Sequence, residues 1–277
     1  MFEKYFNNKF LILYFIPFIL GSLSILAFNP FNITILNLLI FPLFFYLTIY
    51  INKKSKATYR KKPYKKNLFI FGLFFGLGFY ITGVSWISNS LTFDESFKIL
   101  IPFSLILIPL FLSLFIAIPI VIVGPHLRLN FTSIFIFSSS LAFSDYVRAK
   151  ILTGFPWNLW AYSTTSLNEI IQIVNIIGLY SYNLILITFF TFPIIFLFKI
   201  SNVKKIITFF SIFLTILSLY IYGNYEINKN EKRLNSANQR IFIKVVSPNF
   251  DLEYGLNQKE IENRFNKIIR YSEPNKD

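Results

Sequence analysis

Long uninterrupted apolar runs constrain the fold of this chain more than any other feature of its sequence. A run of about 20 apolar residues is long enough to cross the hydrocarbon core of a bilayer as one helix. Such runs predict an all-α polytopic membrane domain of about seven transmembrane helices over residues 1–223. The seven runs are Phe10–Phe28, Ile33–Ile51, Leu68–Leu91, Ile99–Val123, Phe131–Tyr146, Ile170–Phe198 and Ile206–Tyr222. The fifth is short, and the sixth is long enough to include a tilted or re-entrant piece. No convincing small-residue cleavage site follows the first, so we interpret it as a retained helix.

The composition agrees with a membrane protein. Of the 277 residues, 55% are hydrophobic and 14% are charged, whereas about 25% of the residues of a soluble domain are charged. Cysteine is absent, which excludes disulfides, a thiolate metal site and a cysteine nucleophile within this sequence. The sequence implies no metal and no dissociable cofactor.

Lysine and arginine are distributed unevenly among the connections between the runs. Most lie before the first run and in the connections that follow the second, fourth and sixth runs. The other short connections hold only Lys98, Arg148 and Lys150. Because short cytoplasmic loops collect basic residues, we expect the N-terminus in the cytoplasm and the part after Tyr222 outside. Topology therefore explains the net charge of +14, with contact to anionic lipid at the basic loop, and a nucleic-acid partner is disfavoured.

Ionisable residues are missing from the centres of all seven runs. Ion-coupled carriers generally need such groups, and no inverted repeat is evident, so a small-solute transporter is disfavoured. Asp145 and Arg148 are three residues apart at the predicted outer end of the fifth run. They can pair on one helix face, either to pin the helix end or in a catalytic role. His126 stands alone and is assigned no function.

The connection LTGFPWNLWAYS, residues 152–163, is aromatic and nearly uncharged. Pro156 fixes its own φ and restricts Phe155, while Gly154 permits a turn that other residues resist. An aromatic belt at the membrane surface is one interpretation of its rings, Trp157 and Tyr162 among them. The other is a stiff loop that holds aromatic faces beside a lipid.

The third run is rich in glycine and ends at Trp86, the only tryptophan outside residues 152–163. Gly72, Gly76, Gly78 and Gly83 have spacings that allow helices to approach closely. Tight packing with an interfacial anchor would account for this segment. Alternatively, Trp86 and Trp157 face the same cleft at the outer leaflet.

Four stretches in this order resemble the membrane half of the apolipoprotein N-acyltransferase family, the bacterial enzymes that complete lipoproteins. The third stretch is the most specific, and it departs from the family at Ala161, where glycine is usual. The stretches are LAFNPF (Leu26–Phe31), GFYITGVSWISNS (Gly78–Ser90), SDYVRAKILTGFPWNLWAYS (Ser144–Ser163) and NIIGLYSYNLILI (Asn175–Ile187).

Residues 224–277 resemble the truncated beginning of that family's extracytoplasmic nitrilase-like (carbon-nitrogen hydrolase) domain, an α/β fold. Arg240–Phe250 alternates apolar and polar residues and is predicted as a strand, with Ser247 in place of the family's usual Gln. Leu256–Pro274 has apolar residues at helical spacing and matches the domain's first helix. One strand and one helix bury little core, so we expect Asn224–Asp277 to be poorly ordered and protease-sensitive.

The resemblance implies an acyltransferase at the outer leaflet of the bacterial inner membrane. Such an enzyme transfers an acyl chain from a phospholipid to the N-terminal diacylglyceryl-cysteine of apolipoproteins, using a Glu base, a Lys and a Cys nucleophile. No position of this chain takes these roles, so no catalytic residue is assigned. We expect a chain that is inactive alone and lacks its nitrilase-like half.

The predicted lipid entrance is lined by Trp86, Phe155, Pro156, Trp157 and Tyr162. The alternative to an acyltransferase portion is a non-catalytic membrane protein, either a subunit encoded by a split gene or a decayed copy. A separately encoded nitrilase-like partner would favour the split gene.

Overall fold

The computed structural model describes residues 8–57, 63–152, 154–236, 243–250 and 255–273, which are mostly helical and contain no strand. The longer helices are α1 (Leu11–Ala27), α2 (Thr34–Lys56), α3 (Tyr64–Val84), α4 (Ile101–Val123), α5 (Phe131–Arg148), α6 (Leu179–Thr191), α7 (Asn202–Ser236) and α8 (Gln258–Ser272). A 3-10 helix, Ser85–Thr92, extends α3, and another, Phe192–Leu197, extends α6.

The helical membrane class is confirmed, and five of the seven predicted runs form helices that are long and apolar enough to cross a bilayer. These are α2, α3 with its extension, α4 with its flanking turns, α6 with its extension, and α7. The first run forms the shorter helix α1. The fifth forms the 18-residue α5, whose last turn carries Asp145 and Arg148. Seven spans therefore remain an expectation for α1 and α5.

The sixth run, Ile170–Phe198, is not one continuous helix. Its first part forms two short helices, Asn168–Ile171 and Val174–Ile177, and α6 begins after Gly178. Gly178 has φ 77°, a left-handed conformation that only glycine adopts without strain. The length of the run had left room for a tilted or re-entrant piece, but the position of the break was not predicted.

Small residues let the helices approach as the glycine spacing predicts. A Cβ atom added to Gly76 would lie 2.7 Å from the Cα of Ser113, and one added to Gly72 would lie 2.8 Å from the Cα of Ala117. A Cβ on Gly78 would clash with the carbonyl oxygen of Phe18. Backbone atoms of α3 thus contact both α1 and α4, a geometry that small residues alone permit.

Phenylalanines join the remaining core helices. The ring of Phe44 in α2 stacks on that of Phe75 in α3 with centroids 3.9 Å apart, and Phe137 of α5 meets it edge-on at 5.6 Å. All three side chains are buried. Aromatic pairs of this kind add to the packing that holds helices together in a membrane.

The seventh run was predicted to end at Tyr222, but α7 continues to Ser236. Its polar end contains good helix formers and an ion pair between Glu226 and Lys229 at 2.9 Å. The apolar part of α7 faces outwards along most of its length, and Gly223 lies against the backbone carbonyl of Glu169. The expectation that order is lost from Asn224 onwards is therefore wrong for this helical part.

The predicted strand Arg240–Phe250 is not formed in the residues that the structure describes, which begin at Ile243 in this segment. A strand needs a neighbour to satisfy its backbone N–H and C=O groups, and the described residues offer none. The helix predicted over Leu256–Pro274 is confirmed as α8, which begins with a capping box between Asn257 and Glu260. Its side chains are mostly exposed, so an α/β domain remains an expectation here.

Candidate functional site

A buried ion pair lies at the C-terminal end of α5, next to the aromatic loop. The Nη2 atom of Arg148 is 3.0 Å from the Oδ1 atom of Asp145, as their spacing predicts. Arg148 is 1% exposed and Asp145 7%, and this burial was not evident from the sequence. A buried charge is costly unless it is paired and hydrogen-bonded, so the neighbours of this pair are constrained.

Arg148 holds the aromatic loop through its backbone. The Nη1 group donates to the carbonyl oxygen of Phe155 at 2.9 Å and to that of Trp157 at 2.7 Å. The backbone N–H of Phe155 donates in turn to the carbonyl oxygen of Arg148 at 3.1 Å. Hydrogen bonds to a charged donor contribute about 1.5–3 kcal/mol each. The loop is therefore tied to the end of α5 through the carbonyl groups of Phe155 and Trp157.

Asn183 connects the same pair to α6. Its Nδ2 donates to Oδ2 of Asp145 at 2.9 Å, and its Oδ1 accepts the backbone N–H of Ala161 at 3.0 Å. The ring of Tyr80 in α3 lies 5.5 Å from the Cζ atom of Arg148, within the range of a cation–π contact. No role was predicted for Asn183 or Tyr80 individually. The signal for the first was an amide within the sixth apolar run, directly before LILI, because a buried amide needs partners.

The loop turns at Gly154, where glycine was predicted to permit a turn that other residues resist. Gly154 has φ 80°, and a Cβ atom there would lie 2.5 Å from the carbonyl oxygen of Ala149. Asn158 also has a positive φ, 56°, and its side chain donates to the carbonyl oxygen of Gly83 at 3.4 Å. This last contact brings the loop to the end of α3. Thr153 lies outside the described residues.

The two tryptophans of the loop have different environments. Trp160 is 4% exposed and stacks on Phe79 with centroids 4.5 Å apart, with Phe41 edge-on at 4.7 Å. Trp157 is 53% exposed, and its ring meets the equally exposed ring of Trp86 at 5.8 Å. Trp86 and Trp157 are thus neighbours at the surface, which agrees with one of the two interpretations of the third run, while Trp160 is part of the core.

The other three predicted site residues surround this pair less closely. Phe155 is half-buried, and its ring lies 6.0 Å from the Cζ atom of Arg148. Pro156 is exposed, and Tyr162 is half-buried in the 3-10 turn Trp160–Thr164. Among the described residues Tyr162 makes no ring contact with either surface tryptophan.

An apolar cavity of about 330 Å³ adjoins the loop. Phe155 and Gly154 form its wall on the loop side, Leu107 and Phe111 form its wall on α4, and Arg148 is the one charged residue that lines it. A second apolar cavity, of about 560 Å³, runs between α4 and α5 and shares lining residues with the first; the shared residues are Phe111, Phe115 and Ile151. The two cavities together form a groove that runs along the bundle from the aromatic loop.

Fold and loop geometry together define a polytopic helical membrane protein that presents a rigid aromatic loop at one end of its bundle. Residues 20–192 match the family model of the apolipoprotein N-acyltransferase N-terminal domain. The match covers more than half of the chain, and the chain belongs to this family.

Relatives named apolipoprotein N-acyltransferase are similar over the same region. The chain is 27% identical to one from Rhodopseudomonas palustris over 191 residues, which is 69% of this chain and 34% of the relative. It is 30% identical to one from Bradyrhizobium diazoefficiens over 174 residues, 62% of this chain and 31% of the relative. A third, from Sinorhizobium medicae, is 24% identical over 249 residues, 89% of this chain and 45% of the relative. The chain therefore spans about a third to under half of the length of these relatives.

Replacing Arg148 by alanine is expected to destabilise the protein by about 3–5 kcal/mol, because Asp145 would be left buried and unpaired. The measurement is the midpoint of unfolding in detergent micelles. Lys150→Ala is the matched control, since Lys150 is a nearby basic residue with an exposed side chain. An Arg148→Ala protein as stable as the Lys150→Ala protein would show that the pair does not hold the loop.

The two loop tryptophans should respond differently to truncation. Trp160→Ala should cost about 3–5 kcal/mol because it leaves a cavity among core rings. Trp157→Ala should cost no more than about 1.5 kcal/mol, the contribution of one aromatic pair. Unfolding monitored by the remaining tryptophan fluorescence measures both. Equal losses of stability would contradict the separation of core and surface rings.

Proposed function

We propose that this chain forms the membrane platform of an apolipoprotein N-acyltransferase. In this proposal the enzyme transfers an acyl chain from a phospholipid to the N-terminal diacylglyceryl-cysteine of apolipoproteins. Membership of the family supports the reaction, and the names of the relatives support the substrate class. The observation that carries the role of this chain is the aromatic loop, which a buried ion pair holds beside an apolar groove.

The proposed lipid entrance comprises Trp86, Phe155, Pro156, Trp157 and Tyr162. A ring pair that is half exposed offers an apolar surface at the depth where aromatic side chains favour the membrane interface. The groove beyond Phe155 has apolar walls, which suit an acyl chain. A loop that is already ordered loses little conformational entropy when a lipid binds.

We further propose that the protein lies in the bacterial inner membrane with its N-terminus in the cytoplasm. The concentration of lysine and arginine between α2 and α3 supports this orientation, since basic residues favour the cytoplasmic side. The aromatic loop and the segment after α7 would then lie on the periplasmic side. This is the leaflet at which the proposed acceptor, a lipoprotein, would be met.

Photolabelling tests the entrance. A phospholipid with a diazirine on one acyl chain should label residues around Phe155 and Phe111 in a saturable manner, and unlabelled phospholipid should compete. Phe155→Ala should reduce this labelling several-fold, because it removes a wall of the cavity. Phe103→Ala is the control, since Phe103 is an exposed phenylalanine of α4 that does not line the groove. Labelling that is uniform around the bundle and unchanged by Phe155→Ala would indicate an aromatic belt only.

An acyl-transfer assay tests the division of labour within the proposed enzyme. The 277-residue chain contains no cysteine, so it has no thiol to carry an acyl group, and the purified chain should not acylate a diacylglyceryl-cysteine peptide. Mass spectrometry of the peptide detects the added acyl chain, with the full-length relative from Bradyrhizobium diazoefficiens as positive control. Transfer by the 277-residue chain alone would contradict the platform role.

A further inference from the structure

The guanidinium group of Arg148 has a donor that the aromatic loop does not use. An arginine side chain carries five N–H groups, and three of them donate to Phe155, Trp157 and Asp145. The Nε atom is buried and has no hydrogen-bond partner in the part of the chain that the structure describes. A buried donor without an acceptor is unfavourable. An acceptor from a bound molecule would therefore stabilise this group.

The same side chain lines the cavity of about 330 Å³ beside the loop. The other described residues of the cavity wall are apolar, so Arg148 offers the one side-chain hydrogen-bond donor among them. The cavity continues into the groove of about 560 Å³ between α4 and α5, whose walls are also apolar. A molecule bound here needs one acceptor beside Arg148 and apolar surface elsewhere.

The balance of charge favours a neutral acceptor. Asp145 already lies 3.0 Å from the guanidinium group, and both side chains are buried. A phosphate or a free carboxylate beside this pair would leave a net negative charge in apolar surroundings, which is costly. A carbonyl oxygen accepts a hydrogen bond without adding a charge.

The position of Arg148 agrees with the depth of a lipid ester. Arg148 is the last residue of α5, and its Nη1 group bonds the backbone of the exposed Trp157. Tryptophan favours the interface between the hydrocarbon core and the headgroups. The ester groups of a phospholipid join its acyl chains to the polar part of the molecule, so they lie at this boundary.

We propose that Nε of Arg148 donates to an ester carbonyl oxygen of the lipid that enters the groove, with the acyl chain between α4 and α5. Arg148 then determines specificity, because it favours an ester-linked lipid over an ether-linked one. This inference rests on the proposed lipid entrance and names the chemical group that the entrance recognises.

Competition between an ester lipid and an ether lipid tests the proposal. Dipalmitoyl phosphatidylcholine and its dihexadecyl ether analogue share the headgroup, the phosphate and the chain length, but the ether lacks both carbonyl groups. Each competes with the diazirine phospholipid for labelling around Phe155 and Phe111 in detergent micelles. With the wild-type protein the ether should compete at least about tenfold more weakly, because one hydrogen bond from a charged donor contributes about that factor.

Three variants separate the donor from its surroundings. Arg148→Lys removes the Nε–H group and keeps a positive charge for Asp145, so the two lipids should compete equally. Phe155→Ala is the matched control, which removes an apolar wall and should weaken both lipids while keeping their ratio. Thr153 stands between the lining residues Leu152 and Gly154 in the sequence. Thr153→Val removes its hydroxyl group and should also keep the wild-type ratio.

The wild-type comparison decides the matter even if Arg148→Lys does not fold. Equal competition by the two lipids would overturn this inference and leave the lipid entrance standing, since the labelling would still be saturable. Labelling that neither lipid reduces would overturn the entrance as well. An ester preference that persists in Arg148→Lys, or that is lost in Thr153→Val, would assign the recognition to another group and overturn the role of Arg148.

Discussion

The guanidinium group of Arg148 is the point on which the loop end of this bundle depends. An arginine so deeply buried is tolerated because Asp145 balances its charge and two loop carbonyls accept hydrogen bonds from it. Those carbonyls, at Phe155 and Trp157, would otherwise be unpaired beside apolar helices. The buried charge of Arg148 and the backbone of the loop therefore stabilise each other. Asn183 extends the same network to α6, so one cluster sets the relative positions of α5, α6 and the loop.

The two ends of the bundle have opposite chemistry. One end presents exposed tryptophan rings and an apolar groove, with Asp145 and Arg148 buried as a pair. The other end collects lysines, among them Lys9 and Lys54. Apolar contact would dominate the proposed binding of lipid beside Phe155.

Features that follow from short-range chemistry were predictable. Apolar runs of about 20 residues became helices, because a chain in lipid must satisfy its backbone within each segment. The pairing of Asp145 with Arg148 followed from their spacing on one helix. The predicted strand failed because it needs a partner strand. Arg240–Phe250 had the alternation of a strand, but strands depend on a neighbouring strand, and none is present in the described residues.

Only some properties of the aromatic loop could be predicted from the local sequence pattern. Composition and spacing identified it as a stiff and aromatic connection, because proline fixes its own φ and glycine allows a positive φ. They could not separate Trp157 from Trp160, which are three residues apart and chemically the same. That separation depends on the path of the loop, which contacts with Arg148 and Asn183 impose. These partners are distant in sequence or on other helices, and only packing brings them together.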